Sequence, residues 1–379
     1  MIFKVLTIYY KHRRGGFCKR FRLKIEAYLK TGWQVHYIAV EPYPYQDKNL
    51  IPHILPCPFQ KHYGIFFWAW FFSMAPLYAL LLGLRNKFQL ISAATPVYAW
   101  ISGPVKWLRK APMITLLFTK PQFTTDCHDD YRSLKNFENI MERWGVHWSD
   151  KLIANSFACR KSWIQRYHLN PDKVEVHTNH IDAPLFKKEE QRQKLIQEFD
   201  LPQDSFVITS TGILEPHKNL DFLISAFSRI RSTRAVLMLI GGGEQLPHLE
   251  KEAKVLGVTN RVIFTGWRDN AREMVQGSDL FVFPSLWEGM SESLLEATTC
   301  KVPCLVSNIP ENTEVIRNPE QHFNPNKQDE LILKLNRCIE EPGYYEELLI
   351  QTETDGNRFK FDWENEFIEK IRKFIADTI

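Results

Sequence analysis

A chain of 379 residues, 44% hydrophobic and 24% charged, is long enough for two full cores, which excludes a disordered protein. Seven cysteines without a C-x-x-C pair indicate neither a disulfide framework nor a zinc site, so reduced thiols in a cytoplasmic protein are expected. The net charge of +4 hides an asymmetry: residues 1–110 hold 16 Lys/Arg against Glu26, Glu41 and Asp47, a balance of +13, which leaves −9 for the rest. That polarity favours an anionic membrane or acceptor beside the first half, with no nucleic acid expected; the plainer alternative is a set of solvated cations.

In chain order, the opening reads as βαβ. Ile2 to Tyr9 is an apolar strand that runs directly into charge, without the cleavable apolar core of a signal peptide. Phe21, Ile25, Tyr28 and Leu29 share one face of a helix over 17–30, Gly32 stops it, and Val35 to Val40 is the next strand. Further strands are expected at Leu90 to Ala93, near Ile114 to Phe118 or Phe123 to Thr125, at Lys151 to Ala154 and at Val174 to His177. A polar joint lies near Ile181 to Asp204. The second half repeats the plan: strands at 206–210, 235–240, 261–264, 280–283 and 303–306 alternate with helices at 220–230, 246–256 and 293–300 and a short one before Leu280. The tail from Trp363 is an amphipathic helix. Such alternation implies an α/β protein with parallel sheets covered on both faces.

Gly64 to Leu84, GIFFWAWFFSMAPLYALLLGL, carries no charge over 21 residues. That length spans a bilayer. A span would cut one sheet in two, and an open sheet is not completed across lipid. Pro76 is expected to interrupt the helix. A buried helix pair, or an aromatic surface lying in the membrane interface and helped by Lys61, Arg85 and Lys87, are the remaining readings.

The most informative stretch is FVFPSLWEGMSESLLEATTCKVPCLVS, Phe281 to Ser307. A strand ends at Pro284, a turn follows, and a helix begins with Leu294, Leu295 and Thr298 on its apolar face. Glu288 and Glu296 stand eight positions apart, one in the turn and one in the helix. The first amides of a helix lack internal partners and favour an anion. Carboxylates beside them suit sugar hydroxyls on either side of a diphosphate.

This pair resembles the Glu-x7-Glu signature of glycosyltransferase family 4, the retaining GT-B enzymes of group 1. STGILEPHKNLDFLISAF (210–227) resembles the family's phosphate-binding strand, loop and helix, and LIGGGEQLPHLEKEAKVLGVTNRVIFTGW (239–267) its following unit. VEVHTNHIDAPLF (174–186) is similar to its interdomain joint, and RRGGF (13–17) stands where the family has a Gly-Gly loop. The resemblance implies two Rossmann-like domains facing across a cleft: residues 1–181, joined by the C-terminal helix 363–379, for the acceptor, and 182–362 for the nucleotide sugar.

What it implies for the site is specific. The donor is a UDP-sugar or GDP-sugar, with no cofactor and no metal, and charge builds on the β-phosphate of the leaving group. Lys218 and the amides of Met290, Ser291 and Glu292 would meet it, with Gly15, Gly16, Gly212 and Gly289 also at the donor. Glu296 would hold the ribose, and Glu288 the donor sugar beside the anomeric carbon. His128 would face the sugar from a loop shared with Asp126, Asp129 and Asp130. Trp267 and Arg268 would flank the base. The acceptor is expected to be a saccharide, lipid-linked or part of a surface polysaccharide, met by a cytoplasmic enzyme peripheral on the inner membrane face through 61–87 and the basic first domain. Two departures stand out: Ile213 where the family usually has Arg, and Ser291 where it has Gly. Ile213 favours one rival, a degenerate binding module that no longer turns over; a nucleotide-sugar epimerase on the same fold is a further alternative.

Overall fold

The computed structural model describes residues 2–12, 15–121, 132–181 and 186–378. The chain divides into two compact units: Met1–Asn179 with Asp362–Ile379, and His180–Phe361.

The first unit is built on seven parallel strands: β1 (Lys4–Ile8), β2 (Gln34–Ala39), β3 (Leu50–Ile54), β4 (Leu90–Ala93), β5 (Met113–Leu117), β6 (Lys151–Ala154) and β7 (Val174–Val176), in the order β3-β2-β1-β4-β5-β6-β7. The central strands are continuous apolar runs because helices cover both faces; Val5, Leu6 and Ile8 are fully buried. Leu50–Ile54 is a strand that the sequence does not announce. Pro52 within it has no ladder donor, and a strand carrying proline is tolerated at a sheet edge, which is where β3 lies. The last helix, Trp363–Thr378, packs on the helix Gly16–Lys30, with Glu364 2.6 Å from Lys30 and Phe367 5.6 Å from the Tyr28 ring.

The expected break at Pro76 is absent. Ile65–Arg85 is one continuous helix with Pro76 inside it. A mid-helix proline costs about 3 kcal/mol. Phe71, Phe72, Ala75 and Ala79, buried on both sides of Pro76, hold the two halves in line, and each buried Phe contributes about 2 kcal/mol. The helix is long and apolar enough to cross a membrane, but the strands before and after it, β3 and β4, belong to one sheet.

The second unit has six parallel strands: β8 (Phe206–Thr211), β9 (Ala235–Ile240), β10 (Val262–Gly266), β11 (Leu280–Phe283), β12 (Cys304–Ser307) and β13 (His322–Phe323), in the order β10-β9-β8-β11-β12-β13. The two-residue β13 is too short to show as a period. Within the stretch read as a polar joint, Lys188–Glu198 forms a helix that buries Leu195 and Ile196 in this unit. Strand order reverses between β8 and β11, which pair with Ile208 beside Leu280. Their carboxyl ends therefore open side by side, the place where open α/β sheets take ligands.

Candidate functional site

Two loops leave these strand ends, one after Thr211 and one after Phe283. The first begins at Gly212, whose φ of +145° suits glycine alone. A neighbouring glycine allows a close approach: a Cβ on Gly241 would stand 1.9 Å from the Gly212 carbonyl oxygen. The loop then makes a 3-10 turn, Pro216–Lys218, and Asn219, at φ +54°, turns the chain into the helix Leu220–Ser228. Asn tolerates that left-handed backbone better than most residues.

This path returns the Lys218 side chain over the strand ends. Its Nζ lies 4.8 Å from the centre of the Phe283 ring and 2.5 Å from Glu288 Oε1. The two side chains are only 14% and 10% exposed, so this is a sheltered ion pair that solvent screens weakly. Ser210, Gly212, Ile213, Phe283 and Pro284 join Lys218 in lining a small pocket.

The second loop is stitched to the first. The Leu286 amide donates to the His217 carbonyl at 2.8 Å, and the Trp287 ring stacks on His217 at 4.1 Å. Asn219 Nδ2 donates to the Pro284 carbonyl at 3.4 Å. The sequence does not reveal this stack, because its partners are 70 residues apart and each is an ordinary loop residue.

Beyond Glu288, Gly289 and Met290 are buried, and Met290 belongs to the core beneath the loop. The helix starts at Glu292, with Ser291 as its N-cap: the Ser291 hydroxyl accepts from the Leu294 amide at 3.4 Å. Serine in place of the family's glycine thus acts as a cap. Glu292 occupies the first turn, where the helix dipole favours a carboxylate. Glu296, half-buried, stands on the second turn.

The remaining expected residues are spread more widely. Trp267 is half exposed and lies against Gly242, on which a Cβ would come within 2.6 Å of the indole nitrogen. Arg268 is engaged away from the ion pair: its guanidinium is 2.8 Å from Glu198 and lies over the Phe199 ring. Gly15, at φ +133°, and Gly16 start the helix Gly16–Lys30 in the first unit. His128, Asp126, Asp129 and Asp130 lie outside the described residues. Among the described residues no group of three His, Cys, Asp or Glu side chains is placed to hold a metal ion.

Residues 191–355 match the family model described as glycosyl transferases group 1, and residues 21–184 match that of glycosyltransferase family 4. An Escherichia coli UDP-Gal:alpha-D-GlcNAc-diphosphoundecaprenol alpha-1,3-galactosyltransferase is 30% identical over 201 residues, 51% of each chain. The match thus spans about half of that relative's own length. An uncharacterised glycosyltransferase of Methanocaldococcus jannaschii is 22% identical over 79% of this chain and 78% of its own. Among solved structures, Anabaena HepE with UDP and glucose superposes with a TM-score of 0.76 at 18% identity, covering 98% of this chain and 100% of its own. Sucrose-phosphate synthase of Thermosynechococcus elongatus gives 0.80 at 16% identity, covering 99% and 100%. The chain belongs to the group 1 glycosyltransferases of family 4 and has their GT-B fold, with one Rossmann-like unit per sheet.

Proposed function

We propose that this protein transfers a hexosyl group from a nucleoside diphosphate sugar to a saccharide hydroxyl, with retention at the anomeric carbon. The observation that carries the reading is the sheltered Lys218–Glu288 pair where β8 and β11 end side by side. An ammonium has three donors, and Glu288 takes one, so two remain for phosphate oxygens. In the reaction, Lys218 and the helix beginning at Glu292 would stabilise the charge that grows on the departing diphosphate. Glu288, held by Lys218, would contact the donor sugar, and Glu296 would accept from the ribose hydroxyls. The acceptor attacks from the face the diphosphate leaves, and the diphosphate takes its proton. No metal is required in this scheme.

The second unit holds the donor and the first the acceptor. Names of relatives support a lipid-linked or polysaccharide acceptor: the galactosyltransferase acts on a diphosphoundecaprenol sugar, and another match is a serotype-specific mannosyltransferase of Escherichia coli. A cytoplasmic enzyme would then work peripherally on the inner membrane face, with 61–87 and the basic first unit beside the lipid. UDP is the nucleotide in the HepE structures, which makes UDP-sugars the first donors to try.

The test is release of nucleoside diphosphate from UDP- and GDP-sugars, with and without a lipid-linked saccharide acceptor, with EDTA present. Acceptor-dependent release supports the reading. Donor binding without any release supports the degenerate module that Ile213 suggests. Isomerised free sugar without acceptor indicates an epimerase.

A further inference from the structure

We propose that three neighbouring helices of the first unit, Ile65–Arg85, Pro96–Arg109 and Arg132–Trp148, form a platform that lies on an anionic lipid bilayer. This deepens the membrane reading above, extending it from one segment to a surface, and rests on that reading only for why the enzyme works there.

The first observation is where the exposed apolar side chains are. Of the 22 large ones exposed among the described residues, eleven lie on these three helices. On the first helix, Phe66, Leu77, Leu81 and Leu84 recur at helical spacing along the outer side, opposite the buried Phe67, Phe71, Ala75, Ala79 and Leu82. A helix apolar on both faces is half explained by its core, and the other half calls for a second apolar environment.

The helices form one continuous layer. Arg109 donates to the carbonyls of Gly83 and, at 2.7 Å, Leu84. Trp107, exposed on the second helix, is 4.6 Å from Trp148, which is 5.3 Å from the exposed Trp144. Indole rings of this kind settle at the level of lipid headgroups.

The second observation is charge. The first two helices contain no acid, and the two acids of the third, Glu138 and Glu142, are buried. Burial also pushes the Glu142 carboxyl up to about 8. Exposed Lys61, Arg85, Lys87, Lys110 and Arg143 edge the layer. Among the described residues the three helices present no exposed carboxylate, and the exposed Asp150 just past the third is paired with Lys106 of the second. A face that is apolar inside and cationic at its rim complements anionic headgroups. A second copy of the same face would bring like charges together. Because β3 and β4 share one sheet, the first helix lies along the surface instead of through it.

The experiment is co-sedimentation of the whole chain with vesicles of phosphatidylcholine alone and of phosphatidylcholine with 30% phosphatidylglycerol. Wild type should pellet with the anionic vesicles, less so in high salt. The pairs Leu77→Glu/Leu81→Glu and Trp107→Glu/Trp144→Glu should each lower the partition coefficient at least tenfold. Their thermal response to UDP and GDP should match wild type, since no substituted residue belongs to the second unit. Brominated lipid should quench tryptophan fluorescence of the unaltered protein. Wild type that stays soluble with anionic vesicles, or variants that partition like it, would overturn the proposal. So would a dimer that Leu81→Glu dissociates in the absence of lipid binding. Loss of the nucleotide response in wild type, with vesicle binding intact, would instead count against the donor reading.

Discussion

Lys218 Nζ and Glu288 Oε1 meet at 2.5 Å across two loops that are 70 residues apart in the sequence. The pair sets both charges at the strand ends before any substrate arrives. Preorganised charge of this kind costs no reorientation as the leaving group departs.

Removing the ammonium should therefore act on turnover. Lys218→Met is expected to lower kcat by about 100- to 1000-fold. It should also cost roughly 2 kcal/mol of stability, because it leaves Glu288 sheltered without its partner. Adding Glu288→Gln should return most of that stability and none of the activity. Chemical denaturation and initial rates on wild type and these two variants check both halves.

Ile213 lines the pocket with Lys218, where the family usually carries Arg. Ile213→Arg should tighten binding of a nucleoside diphosphate by about tenfold, or ~1.4 kcal/mol, and the gain should shrink in high salt. Isothermal titration at two ionic strengths measures it. An unchanged affinity would mean that the phosphates lie elsewhere.

Two glycines separate close packing from backbone strain. Gly241→Ala combines φ +144° with a 1.9 Å clash against the Gly212 carbonyl, and should cost roughly 3 kcal/mol or more. Gly257→Ala has φ +69° but nothing within 4 Å, and should cost about 1 kcal/mol. Thermal melts of the two variants give the comparison directly.

The alternation of strands and helices, and all but two strands, were legible in the sequence. Apolar runs such as LFVF at 280–283 and AVLMLI at 235–240 leave little choice of element. Leu50–Ile54 and His322–Phe323 were not legible, because edge strands need neither apolar continuity nor length. Pro76 misled because a local rule was overridden by burial on both sides of it. For the candidate site, the motifs single out Glu288, Glu296 and Lys218, and the structure brings Lys218 and Glu288 together. That geometry was not legible: the Lys218–Glu288 pair and the His217–Trp287 stack depend on β8 and β11 becoming neighbours, which no local pattern encodes. Arg268 shows the reverse, a motif position whose side chain is committed to Glu198.

Glu142 predicts a pH dependence. Burial, first of all, and then the nearby Glu138 raise its carboxyl to about 8, against the restraining effects of the Tyr167 hydroxyl and Arg166. The folded state keeps a proton that the unfolded chain releases near its ordinary value of 4.5. Stability from this group is thus full below about 4.5 and falls as pH rises through 8. Glu142→Gln should remove that slope, so its advantage over wild type should grow between pH 5 and pH 8.5. Urea midpoints at those two values show whether it does.

The proposed function requires the corner formed by Gly212, Lys218, Glu288 and the helix carrying Glu296 to hold a nucleoside diphosphate. Thermal shifts with UDP, GDP and ADP test it most directly, on wild type, Lys218→Met and Glu296→Ala. One nucleotide should stabilise wild type by about 2.7 kcal/mol at a hundredfold excess over its dissociation constant, with the response sharply reduced in Lys218→Met and abolished in Glu296→Ala. A wild type indifferent to all three nucleotides, or variants that respond as wild type does, would contradict it.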